Sequence, residues 1–289
     1  MKDPIGYKVF RGFNVIFLLL IVFVTFYPFL NTVAQSFSSE GNITAGNVNI
    51  VPRGFNLETY RVVMADSMFW TNYKNTVLYT VVATTISMVL TTTFAYGISK
   101  PHLKGRNGFI ALAVFTMFFT GGLIPNYVLI TSLGMKNTMW ALVVPNAISV
   151  FNLLIMKSFF ENMPVELEEA AVIDGLNTYG ILLRIVLPLS KAILATMILF
   201  YSVTNWNAWF GAFLYLDKKE LFPVTIFLRN MIAGASTATS TGGSADNLTQ
   251  IASNIKSVTI VLSVLPILAV YPFVQKYFVS GVMLGSVKQ

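Results

Sequence analysis

Cysteine is absent from the 289 residues, which excludes disulfides, thiolate metal sites and a cysteine nucleophile. Histidine occurs once, as His102, so no histidine cluster is available to hold zinc. Charge is scarce as well: 19 Lys+Arg and 12 Asp+Glu make up 11% of the chain, less than half of the roughly 25% found in an average soluble domain. No GxxxxGK[ST] loop occurs, because Lys157-Ser158 and Lys256-Ser257 lack the upstream glycines, and the chain therefore has no phosphate-cradling loop of that type. What it has in excess is apolar surface. With 55% hydrophobic and 14% aromatic residues and a mean hydropathy of +0.69, too little polar surface is left to cover a water-soluble globule, and a disordered chain is excluded.

Crossing about 30 Å of hydrocarbon takes about 20 helical residues, and six charge-poor stretches of that kind are present. The first lies between Arg11 and Glu40, with its apolar heart over residues 15–30. The second covers 75–99. The third begins after Arg106 and carries Gly121, Gly122 and Pro125, which predict a break near its outer end. The fourth covers 137–156, the fifth 192–216 and the sixth 257–275, with Pro266 and Pro272 predicted to bend it. Lys2, Lys8 and Arg11 before the first run suit a signal peptide, but the run is too long for an h-region and no clean small-x-small site follows, so the span is expected to stay. The pattern reads as an all-α integral membrane protein, with six transmembrane helices in one domain over residues 1–289.

Orientation follows from the Lys/Arg bias of the short segments. Lys2, Lys8 and Arg11, then Lys100, Lys104 and Arg106, outweigh the lone Lys136 after the third span. Both termini and segments 99–108 and 159–191 are thus expected in the cytoplasm, with 37–73, 132–138 and 217–254 outside. The formal net charge of +7 becomes topology and lipid anchoring instead of a nucleic-acid surface. Glu58, Arg61 and Asp66 are candidate contacts on the first outer link. In the last one, 233–246 (AGASTATSTGGSAD) is too hydrophilic to span and is expected to be flexible.

The densest acidic cluster, Glu161, Glu166, Glu168, Glu169 and Asp174, falls in the link between spans four and five. Pro164 suits a helix start, the glutamates suit the positive end of a helix dipole, and Asp174-Gly175 supplies a stop. Asn177 or Thr178 can cap a second short helix running to Pro188, giving a bent helix pair over about 161–190. Composition alone fits a solvated hairpin as readily as a docking element.

Read as it stands, Glu169-Ala170-Ala171, three residues, Gly175, nine residues, Ile185, one residue, Leu187-Pro188 resembles the EAA loop of binding-protein-dependent ABC importer permeases. Every fixed position of EAA-x3-G-x9-I-x-LP is filled, while Leu176 and Ala192 depart from the residues common in the family. Residues 95–106 (AYGISKPHLKGR) and 121–134 (GGLIPNYVLITSLG) resemble the MalG-like carbohydrate class and its LplC/YtcP-type oligosaccharide branch. Residues 281–289 (GVMLGSVKQ) resemble the family's GxxxGxVKG tail, with Gln289 in place of the last glycine. The resemblance implies a type I ABC importer permease fold, in which Glu168, Glu169, Ala170, Ala171, Asp174, Gly175, Ile185, Leu187 and Pro188 couple the chain to an ATPase. It implies a second six-span permease subunit, two cytoplasmic ABC ATPase subunits holding ATP and Mg, and an extracytoplasmic solute-binding protein, all at a bacterial cytoplasmic membrane. This chain is expected to be a non-catalytic transport subunit that binds no cofactor or metal itself.

A transport path shows polar uncharged and aromatic groups near the middle of spans. Span five offers Tyr201, Asn205 and Trp209 at steps of four, with Thr204, Trp206 and Asn207 beside them, and span four offers Asn146, Ser149 and Asn152 at steps of three. Asparagine amides exchange hydrogen bonds with hydroxyls, and an indole packs against the C–H face of a sugar ring; the same residues also serve helix packing and interface anchoring. The spans hold no run of ionisable groups of the kind that ion coupling uses. The expected function is ATP-driven import of a carbohydrate, an oligosaccharide or polysaccharide fragment, by alternating access. The alternatives are an ABC permease for a non-sugar solute and an ion-coupled secondary carrier.

Overall fold

The computed structural model describes residues 5–240, 254–269 and 272. Every regular element among them is helical. The chain divides into two compact units, one from Met1–Phe69 with Phe227–Pro266 and the other from Trp70–Ile226 with Ile267–Gln289.

In the first unit the helix Ile5–Ser36 carries a run of exposed apolar side chains between Tyr7 and Tyr27, a surface that only lipid or another apolar face can cover. Where its sequence turns polar, it is fastened. Asn31 Nδ2 donates to the carbonyls of Val48 (3.0 Å) and Asn49 (2.8 Å). Gln35 Nε2 donates to Asn31 Oδ1 at 2.8 Å, and Ser257 Oγ to Gln35 Oε1 at 3.1 Å. The following link is folded against that end through the short helices Glu40–Thr44 and Glu58–Ala65. Tyr60 stacks on Phe37 with 5.3 Å between rings, and its hydroxyl donates to Ser36.

The expected second span is the helix Ser67–Ser99, which starts eight residues early. Asp66 supplies the start signal, its Oδ1 accepting from the Met68 amide at 2.8 Å. One face of this helix is a buried hydroxyl stripe of Thr76, Thr80, Thr84, Ser87 and Thr91. Near its first turns Asn75 Nδ2 donates to Glu220 O, Tyr79 Oη donates to Leu221 O, and Thr76 Oγ1 accepts from the Val224 amide. These bonds hold the segment 219–224 against the helix.

The expected break in the third span is present: Arg106–Phe118 and Leu123–Ser132 meet at 113°, with Gly122 at φ +90 between them. The fourth span is not the continuous helix expected over 137–156. It is split into Trp140–Val143 and Val150–Glu161: Val144 is still helical and bonds back to Trp140 O, but Pro145 has no amide proton with which to continue the ladder. Ser149 restarts the helix by accepting from the Asn152 amide. The fifth span also stops short. Lys191–Trp206 ends where the Asn207 side chain turns back and its Nδ2 donates to Val203 O (2.9 Å), and the helix resumes only at Phe210–Tyr215.

The outer segment expected to be flexible from 233 is helical as far as Ser240, in the helix Val224–Ser240; its apolar start and its alanines favour helix over coil. Residues 241–246, and the tail 281–289, lie outside the described residues. Of the expected sixth span, the described residues include the helix Asn254–Ala269, which continues through Pro266 and is shorter than a full crossing. By length and apolarity two continuous helices can cross a membrane, Gly6–Ser36 and Ser67–Ser99, or up to four spans if each bent pair counts as one.

Two links of the second unit are clamped together. Asn137, in the left-handed region at φ +59, which asparagine tolerates, donates its amide to Tyr215 O and accepts from the Asp217 amide through Oδ1. Lys136 Nζ meets Asp217 Oδ2 at 3.0 Å, and Tyr127 stacks on Tyr215 beside it. Tyr127 and then Asp217 hold the Lys136 ammonium above its ordinary 10.5, while Lys136 and then Asn137 hold the Asp217 carboxyl below its ordinary 3.8. The depressed acid contributes its stabilisation fully above pH 3.8 and loses it as pH falls further; the raised base contributes fully below pH 10.5 and loses it as pH rises further. Asp217→Asn is expected to lower the Lys136 pKa while leaving a residual upward shift from Tyr127. Side-chain NMR titration of labelled lysine checks this, and an unchanged Lys136 would contradict the clamp.

Candidate functional site

The link read as a docking element folds as two short helices. Val165–Ile173 begins after Pro164 and ends at Asp174. Gly175 adopts φ +78, and two bonds close the turn, Gly175 N to Val172 O and Leu176 N to Ala171 O, both 3.0 Å. This is a Schellman stop, and it requires a residue free to take positive φ at that position. Asn177 caps the next helix, its Oδ1 accepting from the Gly180 amide at 2.8 Å. That helix runs over Thr178–Leu189 with a π-helical stretch at Leu182–Val186, directly before Pro188. The proline has no amide to give, and the wider π register absorbs the missing bond. At Ser190 the chain turns by 85° into Lys191–Trp206.

The two alanines of the motif face opposite ways. Ala171 is 2% exposed, in one core with Tyr96 and Ile98 of the long helix, Met156 and Phe160, Leu182 and Val186, and Met197. Ile185 and Leu187 pack against the same core, half-buried. Ala170, Glu169, Asp174, Gly175 and Pro188 are exposed, alongside the exposed apolar side chains of Val165, Val172, Ile173 and Tyr179. The acidic cluster is divided as well. Glu161 pairs with Arg106 and Lys157, and Glu168 pairs with Lys100. Glu166, Glu169 and Asp174 make no ion pair among the described residues. These pairs put segments 99–108 and 161–168 on the same side of the spans, as the charge bias requires.

The second candidate site is a cleft of about 730 Å³. It brings together Asn146, Ser149, Asn152, Tyr201 and Asn205, with Thr204 between the last two. Tyr201 is 3% exposed; its hydroxyl lies 2.6 Å from Thr91 Oγ1 and accepts from the Ser149 amide at 3.1 Å. One phenol thereby fastens the wall left open by Pro145 to two helices. Asn205 Nδ2 donates to Thr84 Oγ1 at 3.3 Å, and Asn205 and Asn146 also border a smaller cavity of about 60 Å³ lined by Thr76, Tyr79 and Pro223. The lining of the large cleft is uncharged and mainly apolar: the rings of Phe151, Phe200 and Tyr201 and the aliphatic side chains of Ile148, Leu199, Val203 and Ile267, with a few amides and hydroxyls among them.

Three expected path residues are not in its lining. Trp206 is buried, edge-on to Tyr73 at 5.8 Å. Asn207 spends its amide on the helix end, and Trp209 lies past that end against Phe210 and Phe213. The four-residue step from Asn205 to Trp209 holds only while the helix continues, and it stops at Trp206. Sequence reasoning missed Thr84 and Thr91 as partners of the path, although the spacing of Thr76, Thr80, Thr84, Ser87 and Thr91 by fours and a three is readable as one helix face. It also missed Lys100 and Arg106 as partners of the acidic cluster.

No protein-family model matches the chain. Among curated proteins it is 41% identical over 281 residues to Protein LplC of Bacillus subtilis (strain 168), covering 97% of this chain and 95% of that protein. It is 39% identical over 295 residues to the polygalacturonan/rhamnogalacturonan transport system permease protein YtcP of the same organism, covering 100% of both. Among solved structures it is similar to a chain in the crystal structure of a bacterial ABC transporter involved in the import of the acidic polysaccharide alginate. The TM-score is 0.85 and the identity 31%, over 96% of this chain and 99% of that one. At these identities and over these lengths, the chain belongs to the LplC/YtcP branch of the binding-protein-dependent ABC importer permeases, whose members are integral membrane, non-catalytic transport subunits.

Proposed function

We propose that this chain is one of two six-span permease subunits in an importer that moves a carbohydrate, an oligosaccharide or polysaccharide fragment, across the cytoplasmic membrane. Both of its termini and the helix pair 165–189 face the cytoplasm, where two ATPase subunits bind ATP and Mg. The solute arrives from an extracytoplasmic binding protein. The names of the relatives support a sugar cargo, since YtcP is named for polygalacturonan and rhamnogalacturonan and the structural neighbour for alginate.

The observation that carries the reading is the two-faced helix Val165–Ile173. Its inner face, through Ala171, is part of the core that holds the ends of the longer helices. Its outer face offers Ala170, exposed apolar groups and unpaired carboxylates, a surface suited to a basic-rimmed apolar groove. When the ATPases close, a push on this helix moves the core with it, because close-packed side chains transmit displacement instead of absorbing it. The cleft then changes the side to which it opens. Its amides and hydroxyls exchange hydrogen bonds with sugar hydroxyls, and its rings pack on C–H faces.

Three outcomes are expected. Ala171→Leu overfills the core and costs about 1–3 kcal/mol, lowering the thermal unfolding temperature in detergent. Ala170→Leu leaves that temperature unchanged but reduces the ATPase recovered with the tagged permease, as does Gly175→Val, which forces a β-branched residue to positive φ at about 1–2 kcal/mol. Tyr201→Phe leaves the Ser149 amide without its acceptor, at about 1–3 kcal/mol, and is expected to lower ATP-driven uptake of short oligogalacturonates by reconstituted vesicles. Uptake that survives ATP depletion and follows an ion gradient would replace this reading with a secondary carrier; ATP-driven uptake of a non-sugar solute alone would keep the machine and change the cargo.

A further inference from the structure

Glu168 belongs to the acidic cluster of the docking element, yet it does not share the outward face of Glu166 and Glu169. It lies three residues before Ala171, on the inward face, and forms an ion pair with Lys100 in which the two side chains are only 22% and 17% exposed. Among the described residues this is the one side-chain hydrogen bond or ion pair that ties Val165–Ile173 to the end of the Ser67–Ser99 helix. Lys100 follows the last residue of Ser67–Ser99, where the helix carbonyls favour a cation, and its ammonium also sits 4.3 Å from the Tyr96 ring centre. The same helix end is held from a second direction. Arg106 Nε donates to Ile98 O at 2.8 Å while its guanidinium pairs with Glu161.

The long helix leads from this pair to the cleft. Thr91, about 14 Å up the axis from Lys100 at 1.5 Å per residue, bonds to Tyr201, and Thr84, further along, bonds to Asn205. We infer that Glu168 and Lys100 are positioning residues forming a charge strut, through which displacement of the Val165–Ile173 helix is passed to the Ser67–Ser99 helix and so to the wall of the cleft. Glu168 then acts on Lys100 of its own chain, whereas Glu166, Glu169 and Asp174 face the ATPase. Half-buried, the pair is costly to break, because removing either partner strands the other charge away from full solvation. The inference rests on Val165–Ile173 being the helix that the ATPase moves.

Thr204→Cys, at an exposed position of the cleft lining in a chain that has no other thiol, reports on the cleft without any transported solute. In the assembled complex, its labelling rate by a water-soluble maleimide is compared without nucleotide and with ATP and Mg. The unaltered strut is expected to give at least a fivefold change. Lys100→Glu and Glu168→Lys are each expected to reduce it below twofold with the ATPase still bound, and the charge-swapped double variant to restore it to within twofold of the original. A double variant as flat as the singles, or singles that keep the full change, would overturn the strut. Loss of the ATPase in Glu168→Lys that the swap does not repair would overturn it too, by making Glu168 an ATPase contact. Glu169→Lys separates the underlying reading: if it and Gly175→Val both keep the ATPase and the full change, the docking assignment fails, whatever the swap does.

Discussion

The packing of one small side chain, Ala171, against the ends of longer helices is the contact on which the rest of the second unit depends. An alanine at that point lets the Val165–Ile173 backbone approach Tyr96, Phe160 and Val186 closely enough to share their core. A larger residue would lift the helix away from that core. The Schellman stop at Gly175 and the Asn177 cap then return the chain at once, so that Ile181, Leu182 and Val186 enter the same core from the second helix. Local turn chemistry and buried packing specify one arrangement, and agreement between those levels is what gives a sequence a single fold.

Polar groups in so apolar a chain have few places to go, and their pairing organises the remainder. A hydroxyl facing hydrocarbon costs too much unless it is bonded. Thr80 Oγ1 is buried without a partner, but four other threonines of Ser67–Ser99 meet this in two ways. Thr76, like Thr93 on another face, donates to a carbonyl of its own helix while its oxygen also accepts from the Val224 amide, whereas Thr84 and Thr91 bond outward to Ser202, Asn205 and Tyr201. The second group is where the long helix becomes part of the cleft. Charges obey a similar economy: half-buried ion pairs tie segment 99–108 to the acidic link, and at the other links Lys136, Asn137 and Asp217 join two segments that sequence alone leaves apart.

Breaks in the helices are as consequential as the helices. Pro145, Gly122 and the Asn207 turn each interrupt an apolar run that could have crossed a membrane without interruption. Irregular backbone at such depth is tolerated only where it is covered by protein or lines a cavity. The break at Pro145 does line one: Pro145, Asn146 and Ser149 border the cleft, and the unwound Ser149 amide is satisfied by Tyr201. The same interruption that spoils a regular span provides the polar wall of a candidate path.

Much of this was legible in the residues themselves. The all-helical class, the first two long helices, the break at Gly122, the stop at Gly175 and the cap at Asn177 follow from composition and from the local conformational preferences of glycine, proline and asparagine, which act over a few residues. The EAA spacing likewise marked the family. Tertiary structure alone decided which alanine of the motif is buried, which glutamates are spent within the chain, and that Asn205 reaches the cleft while Trp209 does not. Those outcomes depend on which helix face meets a neighbour and on where a helix stops. A residue's type and spacing carry no record of the partner, more than a hundred positions away in the case of Asn205 and Thr84, that satisfies its hydrogen bond.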